Sequence, residues 1–214
     1  MPNNKEELLN LWKEIFSQVY EASYYTQLFA CSYLCRSSAH LDTETVKKNL
    51  EIIDKHKNFF SQLEYGISYA VVLSIVKLFE PKNRLSLLYL SSEAKKFKIT
   101  CDDLKNGLAE EDCETLKKLE TARHNFFAHR NKEFSEVILP SRDKIFCLLK
   151  AIASFLNSIG MNFKNAGLES THQYLWKEGF AEAVTKDFQL VLDNLYRGER
   201  ARITEIEVEY SEKL

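Results

Sequence analysis

The sequence predicts an all-α protein, an up-and-down helical bundle with long N-terminal and C-terminal helices, and three observations carry that expectation. Its 214 residues include only 6 glycines and 3 prolines, about 4% of the chain against a usual share of about 12%. A sandwich, barrel or doubly wound sheet needs a turn every ten residues or so and cannot be built from such sparse punctuation. Apolar residues recur at three- and four-residue spacing along most of the chain, the period of a helix with one buried face. At 24.9 kDa the chain is also long enough to bury a core without disulfides or a structural metal.

The first helix is read from Leu8, Leu11, Trp12, Ile15, Phe16 and Val19, and its pattern continues through Tyr24, Leu28 and Cys31 toward Ser37. Asp42, followed by Thr43 and Glu44, is a good N-cap for the next stretch, in which Val46, Leu50, Ile53, Phe60, Leu63 and Ile67 keep the period up to Glu80, before Pro81. Gly66 lies inside it, so two helices or one kinked helix both fit. A third segment covers Leu85 to Phe97. A loop at Thr100 to Asp103 leads into a fourth, with a break expected at Gly107, carrying Leu116, Leu119 and Phe126. The period fades from His129 to Pro140. Pro140 and Ser141 then open a helix bearing Ile145, Leu148, Leu149, Ile152, Phe155, Leu156 and Ile159, with Gly160 expected to close it. The last helix is expected over Ser170 to Tyr196. Beyond it, Ile206, Val208 and Tyr210 alternate with Glu205, Glu207 and Glu209 in the pattern of a strand, which fits either a segment pairing with itself across a dimer or a frayed end. No repeat, low-complexity tract or linker is visible, so residues 1–214 read as a single helical domain.

Charge is nearly balanced, 29 basic against 31 acidic residues. No global field invites a polyanion, and any such site must be local. The five cysteines, Cys31, Cys35, Cys101, Cys113 and Cys147, contain no C-x-x-C pair and read as reduced core thiols of a cytosolic protein. Cys31 and Cys35 share a helix face, but with Phe29 and Leu34 beside them packing is the better reading than metal ligation. The acidic, polar start lacks the basic and then apolar pattern of a signal peptide. The most apolar window, Ile67 to Phe79, is interrupted by Ser68, Ser74 and Lys77 and reads as too short to span a bilayer. A soluble, cytoplasmic protein with no membrane partner is expected.

No P-loop, dinucleotide-binding glycine motif, nucleophile elbow or H-E-x-x-H is present. The residues of interest lie in TARHNFFAHRNK, Thr121 to Lys132. Counting from Lys117 to Lys132, the bases Lys117, Lys118, Arg123, Arg130 and Lys132 are opposed by the single acid Glu120, five charges against one, a local +4 in a chain of net −2. An anion belongs here if anywhere. A solvated helix end, with Phe126 and Phe127 packed inward and cations suiting the helix dipole, is the plainer reading of the same residues.

Arg123, the polar His124 and then His129, with five residues between Arg123 and His129, fit the motif of nuclease members of the HEPN family, which are all-helical bundles. The fuller string Arg-His-x-x-x-Ala-His-Arg-Asn, with SYAVVLSIVKLFEPKNRLSLLYL before it, resembles the HEPN branch of phage abortive-infection systems of type U. The resemblance covers roughly residues 49–156. It implies a ribonuclease that needs no metal or other cofactor, the ribose 2′-hydroxyl attacking the adjacent phosphate to leave a cyclic phosphate. It also implies a homodimer acting on RNA, in antiviral defence or as a toxin, with an antitoxin or defence-system partner. An imidazole moves protons at neutral pH, so His129 suits a general base or acid. The forked, always charged Arg123 suits the phosphate and the charge that builds on it. His124 is a second candidate proton carrier, Asn125 and Arg130 are candidate substrate contacts, and Lys132 is a candidate RNA-binding residue. DNA, lacking the nucleophile, should bind without being cut.

On one continuous helix Arg123 and His129 would stand about 120° apart and about 9 Å along the axis. Either the helix loosens before His129 or a two-fold dimer completes the site, and the dimer is preferred because one short motif offers few groups to grip a polyanion. Related toxins that are silenced by nucleotidylation carry a tyrosine two residues after the motif histidine. Asn131 stands there in this chain, which argues against that control. The rival readings are a HEPN bundle that holds RNA or a nucleotide through Arg123, Arg130 and Lys132 without cutting it, a bundle that only docks a partner protein, and a hydrolase built on Glu110, Glu111 or Asp112. The last is weakest, because acids in a row usually mark a solvated helix turn.

Overall fold

The computed structural model describes residues 2, 4–101, 104–124, 139–165 and 180–211. Among them run eight helices and no strand: α1 (Lys5–Leu34), α2 (Thr43–Lys55), α3 (Lys57–Leu78), α4 (Leu87–Lys96), α5 (Leu104–Gly107), α6 (Glu110–Ala122), α7 (Arg142–Asn165) and α8 (Phe180–Ser211). The fold is all-α, as the scarcity of turn residues predicts. The chain divides into two compact units, Met1–Thr26 with Ile67–Lys177, and Gln27–Gly66 with Glu178–Leu214, so that α1 and α3 contribute to both.

In the first unit, Leu8, Trp12, Ile15 and Val19 of α1 are fully buried, as are Ile145, Leu148, Leu149, Ile152, Leu156 and Ile159 of α7. Trp12 ties the two helices: its indole N–H donates to the Leu156 carbonyl at 2.9 Å, and its ring meets Phe163 edge-on with centroids 6.3 Å apart. The end of α3 adds Val71, Val72, Ile75 and Leu78, and α4 adds Leu87 and Leu90. Helix α4 opens at Ser86, whose hydroxyl accepts from the Tyr89 N–H at 3.1 Å. Helix α6 packs on α7 through the buried stripe of Thr115, Leu119 and Ala122. That stripe fixes which face of α6 is left to solvent.

In the second unit the predicted cap is present: Asp42 Oδ1 accepts from the Thr45 N–H at 2.9 Å and opens α2. Ile52, Ile53, Phe60, Cys35 and Leu192 form a buried cluster flanked by Leu63, Phe188, Leu195 and Tyr196. The amides of Asn49 and Gln189 donate to each other at 3.0 and 2.9 Å, and Asn49 also donates to the Cys35 carbonyl at 2.9 Å. This lock fixes the register of α8 on α2. Further along α8, Glu199 pairs with Lys55 and, at 3.2 Å, with His56. Lys55 holds the Glu199 carboxyl below the usual carboxylate range.

Several expectations are corrected. The stretch from Asp42 to Glu80 is two helices, but the break falls at His56 and not at Gly66, which lies within α3. Glu199 pairs with Lys55 at that break and comes within 3.2 Å of His56. Gly107 does end a helical turn, whereas Gly160 does not stop α7, which runs on to Asn165 because Phe163 is fully buried and the Asn162 amide donates to the Thr100 carbonyl at 2.6 Å. The tail from Thr204 to Tyr210 is helix and not strand. A helix satisfies its own backbone groups, and the described residues offer no strand for a lone extended segment to pair with. The window Ile67 to Phe79 lies mostly in a helix of 22 residues; α3 and the Arg142–Phe163 part of α7 are both long and apolar enough to cross a membrane. Their apolar residues include much of the first unit's core. Of the cysteines, only Cys31 and Cys35 are buried core thiols, while Cys113 and Cys147 are exposed.

Candidate functional site

The packing of α6 on α7 sets the site. With Leu119 and Ala122 turned inward, Glu120, Arg123 and His124, spaced i, i+3 and i+4, share another face of the helix. The helix is regular to Ala122 and takes a π-type turn at Arg123 and His124, a distortion that recurs at functional sites. Thus it loosens at the motif arginine itself. The Arg123 N–H is shared between the Leu119 and Glu120 carbonyls.

The facing wall comes from the end of α3. Pro81 has no N–H and biases Glu80 away from helical geometry, so the helix stops just before it. The Phe79 N–H closes the last turn on the Val76 carbonyl at 3.0 Å, and the Asn83 side-chain amide caps the Lys77 carbonyl at 3.0 Å. Glu80 leaves this turn toward α6, and its Oε1 pairs with Nη1 of Arg123. Between the two walls lies a cleft of about 400 Å³, with Val76, Phe79 and Pro81 as its apolar lining. Among the described residues its polar lining is Glu80, Glu120, Arg123 and His124. The Arg123 side chain keeps 41% of its surface in solvent, so the fork is held yet reachable.

Of the residues singled out from sequence, the structure brings Arg123 and His124 together on this cleft. Asn125, His129, Arg130 and Lys132 lie outside the described residues, as do Phe126, Phe127 and Asn131. Sequence reasoning missed Phe79, Glu80 and Pro81, and it took Glu120 only as a counter-charge. The Glu80–Pro81 pair signals a helix end, but nothing in the sequence says that this end meets α6.

The acidic rival fares differently. Glu110, Glu111 and Asp112 sit at the opposite end of α6, about 17–20 Å along the axis from Arg123. Asp112 is not solvated as expected: it is buried, and burial, with Glu111 adding to it, pushes its carboxyl up. Among the described residues no group of three His, Cys, Asp or Glu is placed to hold a metal ion. The Cys35 thiol donates to the Ser32 carbonyl at 3.4 Å, and burial pushes it up to about 11, which keeps it neutral.

The described residues thus define an all-helical bundle with the motif arginine on an open cleft. Residues 5–185 match the model of the AbiU2 family, and the chain belongs to this HEPN-type family of the abortive-infection U branch. The match reaches well beyond the 49–156 region of the sequence resemblance, taking in α1 and the start of α8. Comparison with the curated proteins and with the solved structures finds no match.

Proposed function

We propose that the protein is a metal-independent endoribonuclease acting on RNA in the cytoplasm, in phage defence or as a toxin, through attack of a ribose 2′-hydroxyl on the adjacent phosphate. The observation that carries this reading is Arg123, a half-exposed guanidinium on a cleft of a HEPN-type bundle, with the motif's polar residue His124 beside it. Glu80 pairs with Arg123 through Nη1, and a guanidinium has five N–H donors, more than one carboxylate can take. His129 takes or returns the proton of the 2′-hydroxyl and the leaving oxygen, and Arg123 stabilises the charge of the pentacoordinate transition state. His124 assists proton transfer, Asn125 and Arg130 contact the substrate, and Lys132 holds the flanking backbone. The working form is a homodimer in which His129 of one copy meets Arg123 of the other, and an antitoxin or another defence component controls it.

The test is cleavage of total RNA and of tRNA with EDTA present. Wild type yields cyclic-phosphate ends, and Arg123→Ala and His129→Ala each lose at least about 100-fold in rate. Equal inactivity of all three folded proteins, with RNA still bound, would instead identify a HEPN bundle that binds RNA or a nucleotide without cutting it.

A further inference from the structure

The cleft beside Arg123 has a lining suited to more than a phosphate. Among the described residues, two carboxylates, Glu80 and Glu120, line it along with Arg123 and His124, so these four side chains carry no positive excess between them. The other described residues of its lining are apolar: Val76, the half-buried Phe79 ring and Pro81. A volume of about 400 Å³ falls at the small end of ligand sites, which run from about 300 to about 1,000 Å³. One nucleotide's base, with its sugar at the entrance, is of that size. An aromatic wall next to an arginine is how single-stranded nucleic acid is held, base on ring and phosphate on guanidinium.

The two carboxylates are not equivalent. Glu80 is tied to Arg123, whereas Glu120 makes no ion pair among the described residues and stands one helical turn before Arg123 on the same face. An ionised carboxylate offers only acceptors, two oxygens side by side. The base edge that complements it must present two adjacent donors. Guanine does so with N1–H and the N2 amino group. Adenine and cytosine each place a ring-nitrogen acceptor next to their single amino donor, and uracil flanks its one N–H with two carbonyls, so each sets a lone pair against the carboxylate.

We infer that this cleft is a guanine subsite, with Glu120 accepting from N1–H and N2–H of the base, Phe79 stacking on it, and Arg123 holding the phosphate on its 3′ side. The assignment rests on the nuclease reading for its orientation, and it makes the enzyme cut after guanosine.

The test uses the full chain and the four nucleoside 3′-monophosphates, which carry base and phosphate but nothing to cleave. Wild type is expected to bind the guanosine compound at least ten-fold more tightly than the other three. Glu120→Gln, an isosteric change at an exposed position, is expected to bring guanosine down to their level, and Arg123→Ala to weaken all four alike. Equal affinities for the four, or a guanosine preference that survives Glu120→Gln, would overturn the subsite. Mapped cleavage ends separate the two readings. RNA cut without base preference by wild type overturns the subsite and leaves the nuclease standing, while guanosine selectivity in a protein that cuts no RNA upholds the subsite and removes the nuclease.

Discussion

Arg123 has two calls on its guanidinium, Glu80 within the protein and the phosphate of the substrate. A fork with five N–H donors can serve both, and the ion pair then sets the angle at which the free donors face the phosphate. Glu80→Ala is therefore expected to lower the cleavage rate about ten-fold, because a loosened guanidinium spends less time in the productive geometry. RNA binding at low salt should hold or tighten, since a negative charge has gone. Separate measurement of kcat and KM checks this, and a parallel fall in both rate and binding contradicts it. Cys35 supplies a second test. Burial holds its thiol at about 11, above the ordinary range near 8.5, so the folded chain keeps this proton longer than the unfolded chain. The corresponding stability is fully present below about pH 8.5 and is lost as pH rises toward 11. Melting curves across that window should fall more steeply for wild type than for Cys35→Ala. Near pH 8 a maleimide should label exposed Cys113 and Cys147 and spare Cys31 and Cys35 until the protein is unfolded.

At the level of elements, the sequence speaks clearly where a helix has its own signals. The Asp42 cap, the break at Gly107 and the buried faces of α1 and α7 follow from residues close together in the chain. The errors came where a distant partner decides. The stretch in which two helices or one kinked helix both fit breaks at His56 and not at Gly66, and there Glu199 of α8 pairs with Lys55 and lies 3.2 Å from His56. Gly160 is carried through α7 by Phe163 and Asn162, each engaged in the first unit. The tail has the alternation of a strand, but the described residues hold no strand for it to join. The site divides in the same way: Arg123 and His124 stand out by composition, whereas Glu80 and Phe79 reach them only through the packing of α6 and the end of α3. Gly66 itself is exposed in the interior of α3, and a methyl group added there would meet no atom within 4 Å. Gly66→Ala should stabilise the protein by about 0.5–1 kcal/mol, read as a rise in the urea midpoint at unchanged slope. A loss of stability would mean that this position needs glycine's freedom.

For the whole molecule, the account requires that residues of two copies meet. In an isologous dimer with Arg123 and His129 joined across the interface, a heterodimer of Arg123→Ala and His129→Ala has one intact site and one doubly damaged site. Random mixing makes half of the dimers heterodimers, so unfolding and refolding the two inactive variants together should restore about one quarter of wild-type activity. If both residues of a site come from one copy, mixing restores nothing.

The measurement closest to the central claim replaces a single 2′-hydroxyl. An RNA oligonucleotide that the wild-type protein cuts at one mapped bond is remade with 2′-deoxyribose on the 5′ side of that bond alone. The account predicts that this bond survives with EDTA present while the modified strand binds with nearly unchanged affinity, because only the nucleophile is gone. Cleavage of the deoxy-substituted bond would contradict it, since the attacking oxygen would then come from water or from the protein and the roles given to Arg123 and His129 would fall with it.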